Sequence, residues 1–145
     1  MRYRLQGPGT DITLEVGGPV DDAALSALHA RAFASQAQHV DRWSERLARH
    51  SLTWVTATDP AGGLVGFVNV IGDGGQHAVL LDTVVEPVRQ GQGIGRALVS
   101  AAADAAREHG CVWLHVDFEA DRTGFYLDGC GFRATAAGIL PLTVT

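Results

Sequence analysis

Apolar and polar residues alternate with period two in 11-DITLEV-16, and this alternation predicts a half-buried strand. The period then changes. In 19-PVDDAALSALHARAF-33 a proline and two aspartates open a helix whose Leu25, Leu28, Ala32 and Phe33 share a face. A second helix is expected over 41-DRWSERLARH-50, with Asp41 as N-cap and Trp43, Leu47 and Ala48 turned inward. Next, 52-LTWVTAT-58 and 64-LVGFVNVIG-72 flank the turn 59-DPAGG-63 and read as a hairpin. A further strand, 78-AVLLDTVVE-86, follows 72-GDGGQ-76 and is stopped by Pro87. A long helix spans about 94–109 and ends at Gly110, where Ile94, Ala97, Leu98, Ala101 and Ala102 form the inward stripe. A strand at 111–118, a short helix near 121–128 and two weak strands at 131–135 and 138–144 complete the chain. The pattern is that of one mixed α/β domain over residues 1–145, with residues 1–10 as an extended leader.

Composition narrows what such a domain does. Hydrophobic residues make up 46% and charged residues 19% of the chain, the balance of a folded soluble protein. The net charge is −5, and all eleven basic residues are arginines. A mildly acidic chain without a basic run is a poor partner for nucleic acid or an anionic membrane. It is better suited to a cationic substrate. No apolar run reaches the roughly 20 residues a spanning helix requires, and the N-terminal residues lack the apolar stretch of a signal peptide. Cys111 and Cys130 are expected as reduced, mostly buried thiols of a cytoplasmic protein. The six histidines are scattered without metal-ligand spacing, so no metal is expected.

The chemistry concentrates where Gly91, Gly93 and Gly95 alternate at the mouth of the long helix. A helix N-terminus presents unpaired N–H groups and the positive end of the macrodipole, which makes it an anion site. Glycines there let the backbone approach a phosphate without an intervening Cβ. A Walker-type loop requires Gly-Lys-Ser/Thr, and the chain has no lysine. A dinucleotide fingerprint counted from Gly91 requires Gly or Ala at position 96, where Arg96 stands. The pattern Q/R-x-x-G-x-G/A is met position by position by 90-QGQGIG-95.

The run 81-LDTVVEPVRQGQGIGRALVSAAADAAREHG-110 resembles the acetyl-CoA-binding motif of the GNAT superfamily of acyl-CoA-dependent N-acyltransferases. The order of elements matches as well, and 113-WLHV-116 followed by 125-FYLDGCGF-132 resembles that family's later strand and aromatic-then-Gly-Phe segment. The resemblance covers roughly residues 10 to 140 and, over the first 40, rests on element order alone. It implies a central, mostly antiparallel sheet of six to seven strands with about four helices, splayed between the fourth and fifth strands. It also implies acetyl-CoA as acyl donor, a small-molecule or peptide amine as acceptor, and a homodimer formed through 138-GILPLTVT-145. The cofactor-binding positions it marks are Thr83, Val84, Val85, Arg89, Gln90, Gly91, Gln92, Gly93, Ile94, Gly95 and Arg96.

Amine acylation sets the remaining requirements. An amine of pKa near 10.4 is protonated at pH 7, and presenting it neutral costs roughly 4–5 kcal/mol, so a base is needed. His115 is the first candidate and Asp82 the second, with Glu86 a rival; Asp117 and Glu119 are suited to attract a cationic acceptor. The Val85 backbone N–H is the candidate oxyanion donor. Tyr126 is the candidate acid for the departing thiolate, with a spacing one residue longer than the family's. Counting back from Gly131-Phe132 places Leu127 in the tyrosine's position unless 128-DGCG-131 absorbs the extra residue. The alternative is a domain that binds acyl-CoA as a sensor or partner module and transfers nothing.

Overall fold

The computed structural model describes residues 1–5, 11–35 and 39–143. Six strands form one sheet in the order in which they occur along the chain: β1 (Arg2–Arg4), β2 (Thr13–Val16), β3 (Thr53–Thr58), β4 (Leu64–Gly72), β5 (His77–Val85) and β6 (Trp113–Val116). All neighbours are antiparallel except β5 and β6, which run parallel because the helix α3 (Ile94–Glu108) crosses between them. The leader residues Arg2–Arg4 pair with Thr13–Glu15 and supply an edge strand.

The two faces of the sheet bury different clusters. On one, α3 lays Ile94, Leu98, Ala101 and Ala102 against Val55, Val68, Val70, Ala78 and Leu80. On the other, α1 (Asp22–Ala32) and α2 (Trp43–His50) cover Phe67 and Val84 with Leu25, Leu28, Trp43 and Leu47. Asp21 caps α1 by accepting from the Ala24 N–H at 2.8 Å. α3 ends in a Schellman arrangement: Gly110, at φ +88°, donates to the Arg107 carbonyl and the Cys111 N–H donates to that of Ala106.

Four details differ from the sequence pattern. Asp41 does not cap α2. The Ser44 N–H is taken instead by the Asp22 side chain at 2.8 Å, a cap supplied from the first turn of α1. Ala48 is exposed, because Trp43 and Leu47 already fill the face turned to α1. Phe33 lies just past the end of α1 and is 58% exposed rather than inward. The strands expected at 131–135 and 138–144 are not formed among the described residues, which are irregular and exposed from Arg133 to Thr143. Ala134, Ala136, Ala137, Gly138 and Pro141 are weak strand formers, and the β-prone residues between them are too few to hold a ladder. Among the described residues of that segment, 138–143, no strand is formed for the expected homodimer to pair.

Leu98 is fully buried between β4 and α3. Leu98→Ala should cost about 3 kcal/mol in urea unfolding. Val88→Ala, at a side chain 82% exposed, should leave the midpoint unchanged.

Candidate functional site

Parallel pairing between β5 and β6 covers only His77–Leu80 against Trp113–Val116. Beyond Leu80 the two strands part. Between the register pairs Asn69–Leu81 and Phe67–Val84, the single residue Val68 faces two residues of β5, Asp82 and Thr83. This is a β-bulge, and Asp82 takes φ +56°, a left-handed conformation costly for a side chain with a Cβ. The extra residue reverses the alternation. Ala78 and Leu80 face α3, whereas Val84 joins the cluster under α1 and α2. Asp82 points to α1, while Thr83 lies toward the opposite side, beside Tyr126.

The Glu86 N–H donates to the Val65 carbonyl across β4 at 2.8 Å. Donor direction alternates along an antiparallel strand, so the N–H of Val85 points away from β4 into the gap. A cleft of about 950 Å³ opens there. Its floor is aromatic: Phe118, Phe125 and Tyr126 pack with ring centroids 4.8–4.9 Å apart. One end holds the glycine loop with Arg89 and Arg96; Asp82, Asp117, Glu119 and Asp121 line it as well.

The three glycines serve two distinct needs. Gly91 and Gly93 sit at φ +80° and +86°, and an added Cβ at either would meet nothing within 4 Å. They are required for conformation, and they leave the loop open in front of the first turn of α3. Gly95 is required for contact: a Cβ there would lie 3.1 Å from the Phe125 ring. Gly93 caps α3 without any side-chain hydrogen bond, leaving the first-turn N–H groups, those of Gly95 and Arg96 among them, for an outside acceptor. Arg89 is held in part by Asp59 at 3.7 Å. Gln90 belongs to the same cleft, as do Thr83, Val84, Val85 and Ile94. A helix start with open N–H groups, arginines beside it and an adjoining free strand edge fits a diphosphate followed by an extended amide-bearing arm.

Tyr126 is buried, and this desolvation raises its pKa above the usual tyrosine value, while the Thr83 side chain works against the rise. It reaches the cleft because residues Gly124–Gly129 form a π-helical segment instead of an α-helical turn. A π-turn holds one more residue than an α-turn. It absorbs the long spacing before Gly131-Phe132, with the Phe132 N–H returning to the Tyr126 carbonyl at 3.0 Å. Leu127 lines a different groove.

That second groove, of about 1050 Å³, runs between α3 and β6 and holds His115. The His115 Nε2 lies 2.8 Å from His77 Nδ1 on the exposed sheet surface. His115 and Tyr126 thus belong to different cavities, whereas Asp82, Thr83, Val85 and Tyr126 share one. Glu86 is bound by the Arg31 guanidinium through contacts of 2.6–3.1 Å, an exchange that raises the Arg31 pKa. Trp43 is core, edge-on to Phe67 with Arg46 stacked over it. Burial pushes the Cys130 thiol up, so it is a poor nucleophile; both cysteines are free. Among the described residues no three His, Cys, Asp or Glu side chains gather as a metal would require, and no helix is long and apolar enough to cross a membrane.

Sequence reasoning missed the contribution of α1. His29 Nε2 lies 3.2 Å from Asp82 Oδ1, and Arg31 binds Glu86, so the last turn of α1 is tied to β5 and the residue after it, beside the cleft. Their charged and polar side chains read in sequence as a solvated helix face, and no local spacing pairs residues more than 50 positions apart.

The acetyltransferase (GNAT) family model matches residues 23–132. Serotonin N-acetyltransferase 2, chloroplastic, of Oryza sativa is 33% identical over 109 residues, 74% of this chain and 54% of that protein. Mycothiol acetyltransferase of Nocardia farcinica is 32% identical over 114 residues, 79% of this chain and 34% of that protein. The chain therefore spans about half or less of the curated relatives it matches. Among solved structures, a GNAT family acetyltransferase of Streptococcus pneumoniae superposes with TM-score 0.70 at 25% identity, covering 91% of this chain and 98% of that one. A GNAT family N-acetyltransferase of Escherichia coli in complex with CoA gives 0.71 at 24% identity, covering 90% and 73%.

Gly93→Ala should lower stability by about 1–2 kcal/mol in urea unfolding through strain at positive φ. Gly124→Ala, where an added Cβ meets nothing and φ is not positive, should cost far less.

Proposed function

The chain belongs to the GNAT acetyltransferase family, and from that premise we propose that it moves an acetyl group from acetyl-CoA to a primary amine of a small molecule or peptide, by direct attack in a ternary complex. One observation carries the reading: the gap between β5 and β6 opens onto the glycine-lined start of α3, with Tyr126 on its floor. Acetyl-CoA supplies a thioester, an acyl group already activated toward amines. The open N–H groups at the start of α3, with Arg89 and Arg96, hold the diphosphate. The free edges of Thr83 and Val85 accept the pantetheine arm as an added strand.

The protein's own groups then divide the work. Asp82, Asp117, Glu119 and Asp121 draw a cationic amine into the cleft. Asp82 takes the ammonium proton; of the two leading candidates it is the one that shares the cleft with Tyr126. The Val85 N–H faces the acyl oxygen as negative charge builds on it. Tyr126 donates its hydroxyl proton to the departing sulfur and regains one from the nitrogen, which sheds its second proton as the amide forms; the raised pKa keeps the hydroxyl protonated through neutral pH. Arylalkylamines, amino sugars, amino acids and peptide N-termini all present such an amine.

The test is thiol release from acetyl-CoA over a panel of tryptamine, glucosamine, cysteine and a tetrapeptide. Tyr126→Phe should reduce turnover about tenfold or more with the calorimetric affinity for acetyl-CoA unchanged. Tight binding of acetyl-CoA with no acetyl transfer to any amine would turn the assignment to a sensor. Absence of binding by a folded protein would remove it altogether.

A further inference from the structure

The side chain of Asp82 is held from behind. His29, on the third turn of α1, approaches Asp82 Oδ1 with Nε2 at 3.2 Å. Its ring is fixed between Phe33 and Trp43, with centroids 4.6 and 5.4 Å away. Both partners are about 30% exposed, His29 at 32% and Asp82 at 28%, so their contact is neither dry core nor free surface. Asp82 also stands at φ +56° on the bulge, a conformation that a non-glycine residue keeps only when its surroundings require it. Strain, bulge and a distant histidine converge on one carboxylate at the wall of the cleft.

We propose that His29 is a positioning residue for the proton acceptor: its Nε2–H donates to Asp82 Oδ1, fixing the carboxylate so that Oδ2 faces the acceptor amine. This rests on the reading of Asp82 as the base. The carboxylate is an acceptor only, so the hydrogen bond requires the proton of His29 on Nε2. One oxygen is then occupied. The other is left to receive the amine proton, and His29 stays behind without touching substrate. A free Asp82 side chain would sample rotamers that turn both oxygens away from the cleft. Arg31 bound to Glu86 keeps α1 from sliding along β5 and so fixes the histidine in turn.

The volume-conserving His29→Leu keeps the packing against Phe33 and Trp43 and removes the donor, whereas His29→Gln keeps a donor. With acetyl-CoA and whichever of the four panel amines wild type acetylates fastest, His29→Leu should lower kcat about tenfold, the loss expected of a hydrogen bond to a charged group. Its KM for acetyl-CoA and its melting temperature should be unchanged. His29→Gln should recover to within about threefold of wild type. In an Asp82→Asn background, His29→Leu should cost nothing more. A long-range 1H–15N spectrum of the free protein should place the His29 proton on Nε2. Equal impairment of the Gln and Leu variants, an undiminished loss in the Asp82→Asn background, or a proton on Nδ1 would each overturn the proposal. Full activity of Asp82→Asn would overturn both it and the base assignment. An Nε2 proton in a protein that acetylates no amine would strike the enzymatic reading and leave the dyad standing.

Discussion

The structure depends on a row of backbone donors left open in the middle of a sheet. β5 is paired on both sides as far as Leu80 and on one side only from Leu81 to Val85. An unmet N–H in a partly desolvated place costs about 1–3 kcal/mol. Globular proteins avoid such gaps or place them at an edge where water reaches them. Here the gap is kept open by structure on three sides. The bulge at Asp82 turns β5 away, β6 stops at Val116, and Phe118, Phe125 and Tyr126 wedge beneath. An opening so heavily supported is a built feature of the sheet and not a frayed edge.

Charge is distributed to the same end. Arg89 and Arg96 stand by the helix start, and the carboxylates Asp82, Asp117, Glu119 and Asp121 line other parts of the cleft. Asp82 in the cleft and Glu86 just beyond the end of β5 are both bound by α1. The helix that covers one core cluster is therefore also the wall that sets the orientation of acidic groups. Packing and electrostatics cannot be separated here, because a shift of α1 over Phe67 and Val84 would move His29 and Arg31 with it.

What was legible in the sequence follows the range of the interactions. The glycine loop, α3 and its stop at Gly110 obey local rules of capping and positive φ, and they stand where the pattern puts them. The strands β2 to β6 were legible from alternation and turn chemistry, and the parting of β5 from β6, the fourth and fifth strands when counted from β2, from the family resemblance. The bulge was not legible, since 81-LDTVV-85 reads as an uninterrupted strand and only the register against β4 reveals the extra residue. The cap on α2 was misplaced because its donor of order, Asp22, comes from another helix. His29 was overlooked for the same reason: its partner is 53 residues away. The terminal strands were over-read from a few β-prone residues around a Pro and a Gly.

The spacing of Tyr126 shows how a site survives a change in length. In a strand one added residue would turn every following side chain to the opposite face. In an α-helix it would rotate the next residue by about 100°. Either change would take the tyrosine or the following Gly-Phe pair out of place. Widening Gly124–Gly129 to a π-helical turn confines the added residue to one loop of backbone, so Tyr126 keeps Thr83 and Phe118 as neighbours while Phe132 still packs edge-on against it. A turn of lower intrinsic stability is retained because the alternatives displace the Tyr126 hydroxyl from the floor of the gap. The position of Tyr126 is thus held by contacts on both sides of the insertion rather than by its count along the chain.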